Sequence, residues 1–306
     1  MFGLMGLLGV VIAGFLVQPG AEDEDDPTAD GDDLSTGDDA QDSDDDGMPG
    51  SDDLEDAVDD PIFAEGTDDS EILNGGTGDD RLTGLGDDDV LSGDDGSDSL
   101  FGGAGDDALD GGQGADWLEG EDGDDTLTAD AGDDSLSGGT GDDSLSGASG
   151  ADSLAGDAGD DTLIGGEGQD SLDGGAGDDW LSAGYGADDL AGGAGDDTLD
   201  GGAGEDYLNA GNGDDVLRLS SDTYASGGAG ADVFELTATG TSVVADYDAE
   251  EDSLVVLYDA GDSDETPVLS LQVDGTDALI LLDGAVLARV TDGADLTLDD
   301  VELRAT

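Results

Sequence analysis

Residues 102–128 read GGAGDDALD, GGQGADWLE and GEDGDDTLT, three consecutive units of nine residues that share one pattern. The pattern continues in both directions without a gap, so that sixteen such units fill residues 75–218. Glycine occupies the fourth position of fifteen units and the first position of thirteen, and the eighth position is Leu in all sixteen. A glycine turn and a hydrophobic residue at one fixed spacing predict a solenoid, in which successive repeats stack on one another.

The sixth position of every unit is Asp. Carboxylate oxygens are ligands that Ca²⁺ prefers, so this column predicts a row of metal ligands rather than a set of solvated turns. After Arg218 the spacing slips by one residue, and the segment GGAGADVFEL adds one more Asp in the same context. The candidate metal ligands are Asp80, Asp89, Asp98, Asp107, Asp116, Asp125, Asp134, Asp143, Asp152, Asp161, Asp170, Asp179, Asp188, Asp197, Asp206, Asp215 and Asp232.

The consensus G-G-x-G-x-D-x-L-x resembles the RTX, or haemolysin-type calcium-binding, nonapeptide. The resemblance covers residues 75–218, and the residues that follow look like the closing repeat and cap of RTX proteins exported by type I secretion. It implies an all-β fold, a right-handed parallel β-roll with a C-terminal β-rich cap, in which two nonapeptides form one coil. It also implies calcium ions between successive turns at both edges of the roll, about 14 ions in all.

The residue types support this geometry independently of the resemblance. Glycine at the first and fourth positions allows a positive φ and a close approach of the backbone. In the x-Leu-x strand the Leu side chain is predicted to point inward and its two neighbours outward. One Leu per strand gives a thin core, and the carboxylates repel one another along each edge. We therefore hypothesise that the metal-free chain is largely unfolded and that calcium supplies folding free energy.

The composition excludes several classes of function. The 306 residues include 84 acidic residues against four Arg, a formal charge of −80, which argues against nucleic acid as a partner and favours cations. The chain has no His and no Cys, which excludes zinc sites of the HExxH type, Ser-His-Asp triads and thiolate sites. Paired carboxylates of the glycosidase type remain open, but 84 acidic residues single out no pair. We expect a protein that is not an enzyme.

The chain divides into four predicted segments. Residues 1–18 form a short apolar helix that serves as an anchor or targeting segment, and 19–65 form an acidic disordered linker. Residues 66–232 form the roll, with Glu71 in the Asp column of a degenerate first turn. Residues 233–306 form the β cap and a candidate secretion signal.

Within the linker, Asp42–Asp53 begins like a D-x-D-x-D-G calcium loop, and either a real site or chance in an acidic background explains it.

Alternate repeats differ at the fifth position. In one set this residue is always Asp, and in the other set it varies. Because a coil contains two repeats, the first set is predicted to give one edge of the roll a second row of carboxylates. One explanation of this difference between alternate repeats is that they were inherited from an 18-residue duplication. The other is that this edge recruits further cations, which bridge to neighbouring copies or to anionic polysaccharide.

The sequence as a whole predicts a calcium-binding RTX protein with a structural or adhesive role, located outside the cell or on a bacterial surface. Residues 2–17 are candidates for membrane attachment, although an apolar N-terminal segment departs from the C-terminal signal of type I secretion. The alternative is a non-catalytic RTX module, or an accessory protein, associated with a secreted protease, lipase or polysaccharide-modifying enzyme.

Overall fold

The computed structural model describes residues 61–237, 241–259 and 267–306. The predicted apolar segment, most of the acidic linker and the Asp42–Asp53 loop lie outside these residues. Within the described ranges, no helical segment has the length and hydropathy needed to span a membrane.

The described residues form 27 strands and one short 3₁₀ helix, Leu298–Asp300. The strands are β1 Phe63–Glu65, β2 Ile72–Thr77, β3 Arg81–Gly86, β4 Val90–Asp95, β5 Ser99–Ala104, β6 Ala108–Gln113, β7 Trp117–Asp122, β8 Thr126–Ala131, β9 Ser135–Thr140, β10 Ser144–Ser149, β11 Ser153–Ala158, β12 Thr162–Glu167, β13 Ser171–Ala176, β14 Trp180–Gly186, β15 Asp189–Ala194, β16 Thr198–Asp200, β17 Ala203–Gly204, β18 Tyr207–Asn212, β19 Val216–Leu219, β20 Tyr224–Ala229, β21 Val233–Thr237, β22 Ser242–Val244, β23 Ser253–Tyr258, β24 Leu269–Asp274, β25 Asp277–Leu282, β26 Ala285–Val290 and β27 Val301–Ala305.

Successive strands of the repeat region alternate between two parallel sheets. Sheet 1 has 14 strands in the order β1-β3-β5-β7-β9-β11-β13-β15-β18-β20-β22-β26-β25-β24. Sheet 2 has 13 strands in the order β2-β4-β6-β8-β10-β12-β14-β16-β19-β21-β23-β27, with β17 beside β14. Within the sixteen repeats, paired residues are 18 positions apart, as Leu145 and Leu163 are. The protein is thus the predicted all-β parallel solenoid, and it has about 11 turns.

The Leu column forms the core between the two sheets. All sixteen Leu side chains, from Leu82 to Leu217, are at most 2% exposed, and they belong to one cluster of buried residues. Their neighbours on either side, such as Ser144 and Ser146 beside Leu145, are exposed or half-buried. The inward and outward alternation predicted for the x-Leu-x strand is confirmed.

The glycine pattern differs from the prediction at one position. The backbone has a positive φ at the second and fourth positions of the repeat, for example 121° at Gly103 and 138° at Gly105, whereas Gly102 at the first position has none. The prediction of a positive φ for the first glycine was therefore wrong, because the chain takes up the left-handed conformation one residue later, at the second position. The first glycine is required instead for close approach, since a Cβ on Gly102 would lie 2.9 Å from the carbonyl oxygen of Gly120.

The chain continues into the C-terminal region without interrupting the sheets. The shortened repeat after Arg218 is absorbed in the turn, because Tyr207 pairs with Tyr224 across a separation of 17 residues. Strands β22 and β26 extend sheet 1 in parallel, and β24, β25 and β26 then form an antiparallel meander. Strand β27 extends sheet 2 beside β23. The predicted C-terminal β-rich region is present.

Candidate metal sites

The sixth-position Asp residues lie in the turns that connect the two sheets. The turns from sheet 2 into sheet 1 form the first edge of the roll, which carries Asp80, Asp98, Asp116, Asp134, Asp152, Asp170, Asp188 and Asp206. The turns from sheet 1 into sheet 2 form the second edge, which carries Asp89, Asp107, Asp125, Asp143, Asp161, Asp179, Asp197, Asp215 and Asp232. None of these side chains is more than 3% exposed. The structure thus buries the whole predicted column, in two rows.

One oxygen of each carboxylate joins adjacent coils. The backbone N–H of Asp80 donates to Oδ1 of Asp98 at 2.7 Å, and the N–H of Asp98 donates to Oδ1 of Asp116 at 2.8 Å. The same contact recurs along both edges, and on the second edge it spans the shortened repeat, where the N–H of Asp215 donates to Oδ1 of Asp232 at 3.1 Å. Each Asp therefore accepts a hydrogen bond from the preceding coil, and this series of bonds is called the carboxylate ladder below.

The other oxygen has no such partner. Oδ2 of all sixteen Asp residues from Asp80 to Asp215 is buried and has no hydrogen-bond partner among the described residues. A Cβ on Gly165, the first residue of its repeat, would lie 2.6 Å from Oδ2 of Asp170 and 2.8 Å from the carbonyl oxygen of Ala183 in the next coil. The small first residue thus leaves room for a carboxylate oxygen and a carbonyl oxygen of adjacent coils to approach the same point.

Burial changes the acidity of these groups. It raises the pKa of Asp143 and Asp197 to about 7, and repulsion from acidic residues of neighbouring coils adds to the effect, while the backbone N–H bond acts in the opposite direction. The same cause raises the pKa to about 6 at Asp98, Asp107, Asp125, Asp134, Asp152, Asp179, Asp206 and Asp232. A carboxylate in such a turn is stabilised by a proton or by a metal cation.

The donor set fits a hard cation. Within residues 61–306, apart from the two gaps, no group of three or more acidic side chains is placed to hold a metal ion. A cation between two coils therefore requires backbone carbonyl oxygens in addition to carboxylates. Ca²⁺ accepts such all-oxygen sets of mixed carboxylate and carbonyl ligands.

Comparison with known proteins identifies the repeat. The model of the RTX calcium-binding nonapeptide repeat, in four copies, matches residues 65–100, 84–118, 110–145, 119–154, 146–181 and 182–217, which together make up half of the chain. The chain belongs to the RTX calcium-binding repeat family. RTX repeats bind calcium, so this is a calcium-binding repeat protein, and its β-roll is of a type that is typically non-catalytic.

No curated protein sequence matches the chain. Among solved structures, the extracellular lipase LipA from Serratia marcescens is similar with a TM-score of 0.26 and 17% identity, over 70% of this chain and 41% of the lipase. The RTX chain thus spans less than half of the lipase's length.

A second row of carboxylates follows the second edge of the RTX roll. The exposed fifth-position residues are Asp88, Asp106, Asp124, Asp142, Asp160, Asp178, Asp196 and Asp214. In this row Oδ1 of Asp88 accepts from the N–H of Asp106 at 3.0 Å, and the contact repeats up to Asp196 and Asp214 at 2.8 Å. The row lies on one edge only, as the alternation of the repeats predicted.

The N-terminal end of the carboxylate ladder differs from its middle. On the second edge, Glu71 donates its N–H to Oδ1 of Asp89 at 2.7 Å, so it occupies the place of a ladder Asp. Its own carboxylate, however, accepts from the backbone N–H and the hydroxyl of Thr67 within the same turn. Glu71 has therefore satisfied its side chain locally, which agrees with the predicted degenerate first turn.

Two residues at the C-terminal end were missed by sequence reasoning. On the second edge the ladder continues to Asp252, whose Oδ1 accepts from the N–H of Asp232 at 3.0 Å, across 20 residues. On the first edge Thr223 follows Asp206 in the sixth position. Neither is found from the nine-residue period, because loops of changed length precede both. The Asp in SVVADYDAEEDSLVV immediately before a strand was the available signal for Asp252.

Proposed function

We propose that this protein folds upon binding calcium and that the sixth-position Asp residues of both edges, together with Asp232, are its metal ligands. The sixteen buried Oδ2 atoms without hydrogen-bond partners carry this proposal. An uncompensated buried carboxylate opposes folding, and sixteen of them in two rows oppose it strongly. A divalent cation between adjacent coils removes this penalty and joins the coils.

The ligands act in pairs along each edge. An ion between two coils takes a carboxylate oxygen from the turn of each coil and backbone carbonyl oxygens of the same turns. About 14 ions fill the two edges, each with the weak affinity of extracellular calcium modules, a Kd of about 10⁻⁴ to 10⁻³ M. Binding is cooperative, because each ion stabilises two neighbouring coils.

The folding switch places the protein where calcium is abundant, outside the cell or on a bacterial surface, after export as an unfolded acidic chain. Its role there is structural or adhesive rather than catalytic. In this proposal, residues 2–17 attach the protein to a membrane, 19–65 act as a spacer, 66–232 form the calcium-dependent roll and 233–306 cap it and carry the export signal.

Circular dichroism of the full chain tests the folding switch. The chain is stripped of metal with EDTA and titrated with calcium, and the β signal is followed. A steep transition from coil to β structure at about 10⁻⁴ to 10⁻³ M calcium is expected, with no transition over the same range of magnesium, which keeps its water ligands more firmly. At a pH of about 7.5, where the sixth-position Asp residues are ionised, a calcium-free sample with the full β signal would contradict the proposal.

The adhesive role predicts that the fifth-position row of the second edge mediates association. Replacing its eight Asp residues by Asn keeps Oδ1 as an acceptor for the next coil but removes the charges that hold bridging cations. Calcium-dependent self-association, or binding to an anionic polysaccharide such as alginate, should then be lost while calcium-dependent folding is retained. Sedimentation velocity and light scattering measure the association, and circular dichroism measures the calcium-dependent folding.

The matched control replaces eight exposed acidic residues on the sheet faces by the neutral amides, among them Asp110, Asp173 and Asp189. This variant has the same net charge as the first, and its association should remain close to that of the unmodified chain. If association survives in the edge variant, the row is a product of repeat duplication alone.

A further inference from the structure

The two edges of the roll end differently. On the second edge, carboxylates continue through Asp215, Asp232 and Asp252. On the first edge the residue after Asp206 in the sixth position is Thr223. The assignment rests on the register, since Tyr224 N donates to the carbonyl of Asp206 at 2.8 Å, as Tyr207 N does to the carbonyl of Asp188. The shortened repeat therefore places a hydroxyl where the eight turns from Asp80 to Asp206 have a carboxylate.

The Thr223 side chain is buried without a partner. Thr223 is 1% exposed, and its Oγ1 has no hydrogen-bond partner among the described residues. Oδ2 of Asp206, the preceding residue of the same edge, is likewise buried and without a partner. Thr223 thus does not take over the acceptor role of a ladder Oδ1. Together with Oγ of Ser220, which lies in the same turn as Thr223, three unsatisfied buried oxygens remain in these two adjacent turns.

The next turn of the first edge is closed by hydrogen bonding. Ser242 follows Thr223, because Val243 N donates to the carbonyl of Thr223 at 2.8 Å. Its hydroxyl donates to the carbonyl of Ser220 at 2.6 Å, so it is satisfied within the protein. The unsatisfied oxygens of the first edge therefore end with Thr223.

We infer that Asp206 and Thr223 form a terminal cation site of reduced charge, in which a hydroxyl oxygen replaces one of the two carboxylates. The inference rests on the proposed function, since it places a further calcium ion in the first-edge row. Calcium accepts a neutral oxygen as a ligand, but affinity falls as the number of charged ligands falls. The site is therefore the weakest on its edge and the last to fill as calcium rises.

Hydrogen exchange of the full chain, followed by mass spectrometry at stepped calcium concentrations, resolves this site from the others. In the unmodified chain, peptides covering Tyr224–Ala229 should gain protection at a calcium concentration about tenfold higher than peptides covering the middle of the roll. Thr223→Asp restores the second carboxylate and should bring the two midpoints together. Thr223→Val keeps the shape of the side chain but removes the oxygen, and should abolish the late step.

Thr198→Val is the matched control, because Thr198 is only half-buried and lies on the face of sheet 2, one position beyond the Asp197 turn. It should leave both midpoints unchanged. If Thr223→Val and Thr223→Asp both behave like the unmodified chain, Thr223 Oγ1 holds no cation and the inference is overturned. If no peptide of the unmodified chain responds to calcium, the proposed function itself fails.

Discussion

The carboxyl group of a sixth-position Asp has two oxygens in unlike surroundings. Asp143 accepts the N–H of Asp125 through Oδ1 at 2.7 Å, whereas its Oδ2 is buried without a partner. The first oxygen holds coils together whether the group is charged or neutral. The second requires a counter-charge once the proton has gone. Under the proposed function, the residue therefore accepts the backbone hydrogen bond in both protonation states but binds calcium only when it is ionised.

The different surroundings of the two carboxylate oxygens predict the effect of Asp143→Asn. The amide keeps an oxygen acceptor for Asp125 N–H but cannot supply a charged ligand, so the calcium-loaded roll should lose about 1–3 kcal/mol of stability. In EDTA the variant should be no less stable than the unmodified chain, because a buried charge has been removed. Thermal unfolding by circular dichroism, in saturating calcium and in EDTA, measures both effects.

Asp142→Asn is the control for this experiment. It removes the same charge one residue away, from an exposed fifth-position side chain. Its effect on stability should stay within about 0.5 kcal/mol. Equal losses in the two variants would mean that net charge, and not ligation, sets the stability of the loaded roll.

At the scale of the strand and turn, the second position of the repeat carries backbone strain in six of the first ten repeats. Leu85, Asp94, Glu121, Asp130, Ala148 and Asp157 have positive φ values from 68° to 91°. From Gly166 to Gly228 the corresponding residue is always glycine. A left-handed backbone costs an L-residue about 1–2 kcal/mol, so the strained second positions all lie in the first ten of the sixteen repeats.

Leu85→Gly should therefore stabilise the calcium-loaded roll, by about 1 kcal/mol after allowance for the greater freedom of glycine in the unfolded chain. Leu85 is 40% exposed, so little buried contact is lost. The midpoint of denaturant unfolding in saturating calcium measures the gain. Leu85→Ala is the control, since it keeps the Cβ and the strain and should give no gain, and a gain of equal size there would assign the effect to the side chain instead.

Most strands and turns of the roll could be predicted from the sequence, because the eighth-position Leu and the sixth-position Asp recur with one period. That period determines which side of a strand each residue faces. Thr223 and Asp252 could not be predicted in this way, since separations of 17 and 20 residues put them out of phase with the columns. The positive φ at the second position was also missed, because the pair Gly-Gly at the first and second positions does not show which of the two glycines adopts the left-handed conformation.

At the scale of the whole molecule, the net charge and the buried carboxyls make the calcium-free fold sensitive to pH. Burial raises the pKa of ten ladder Asp residues to about 6 or 7, against 3.8 for an ordinary Asp. Between these values the folded chain binds more protons than the unfolded chain, so the stability of the metal-free roll rises as pH falls through this window.

Acidification in EDTA should therefore induce β structure. Lowering the pH from about 7.5 to about 5 protonates the ladder and remains above the sequence pI of about 4.1, which limits precipitation. Protons compete with calcium for the same oxygens, so calcium binding should weaken over the same range. Circular dichroism with sedimentation velocity measures folding and excludes aggregation, and a metal-free chain that stays unfolded at pH 5 would contradict the buried-carboxyl account.

The pairing of each residue with the one 18 positions later sets the unit in which such a protein can change its length. Loss or gain of one nonapeptide would exchange the two sheets for every downstream strand and would move the downstream part of the fifth-position Asp row to the opposite edge. Loss or gain of two nonapeptides removes or adds one layer and leaves everything else in phase. We therefore expect the roll to tolerate insertions and deletions of two repeats, whereas a change of one repeat disrupts the two sheets downstream.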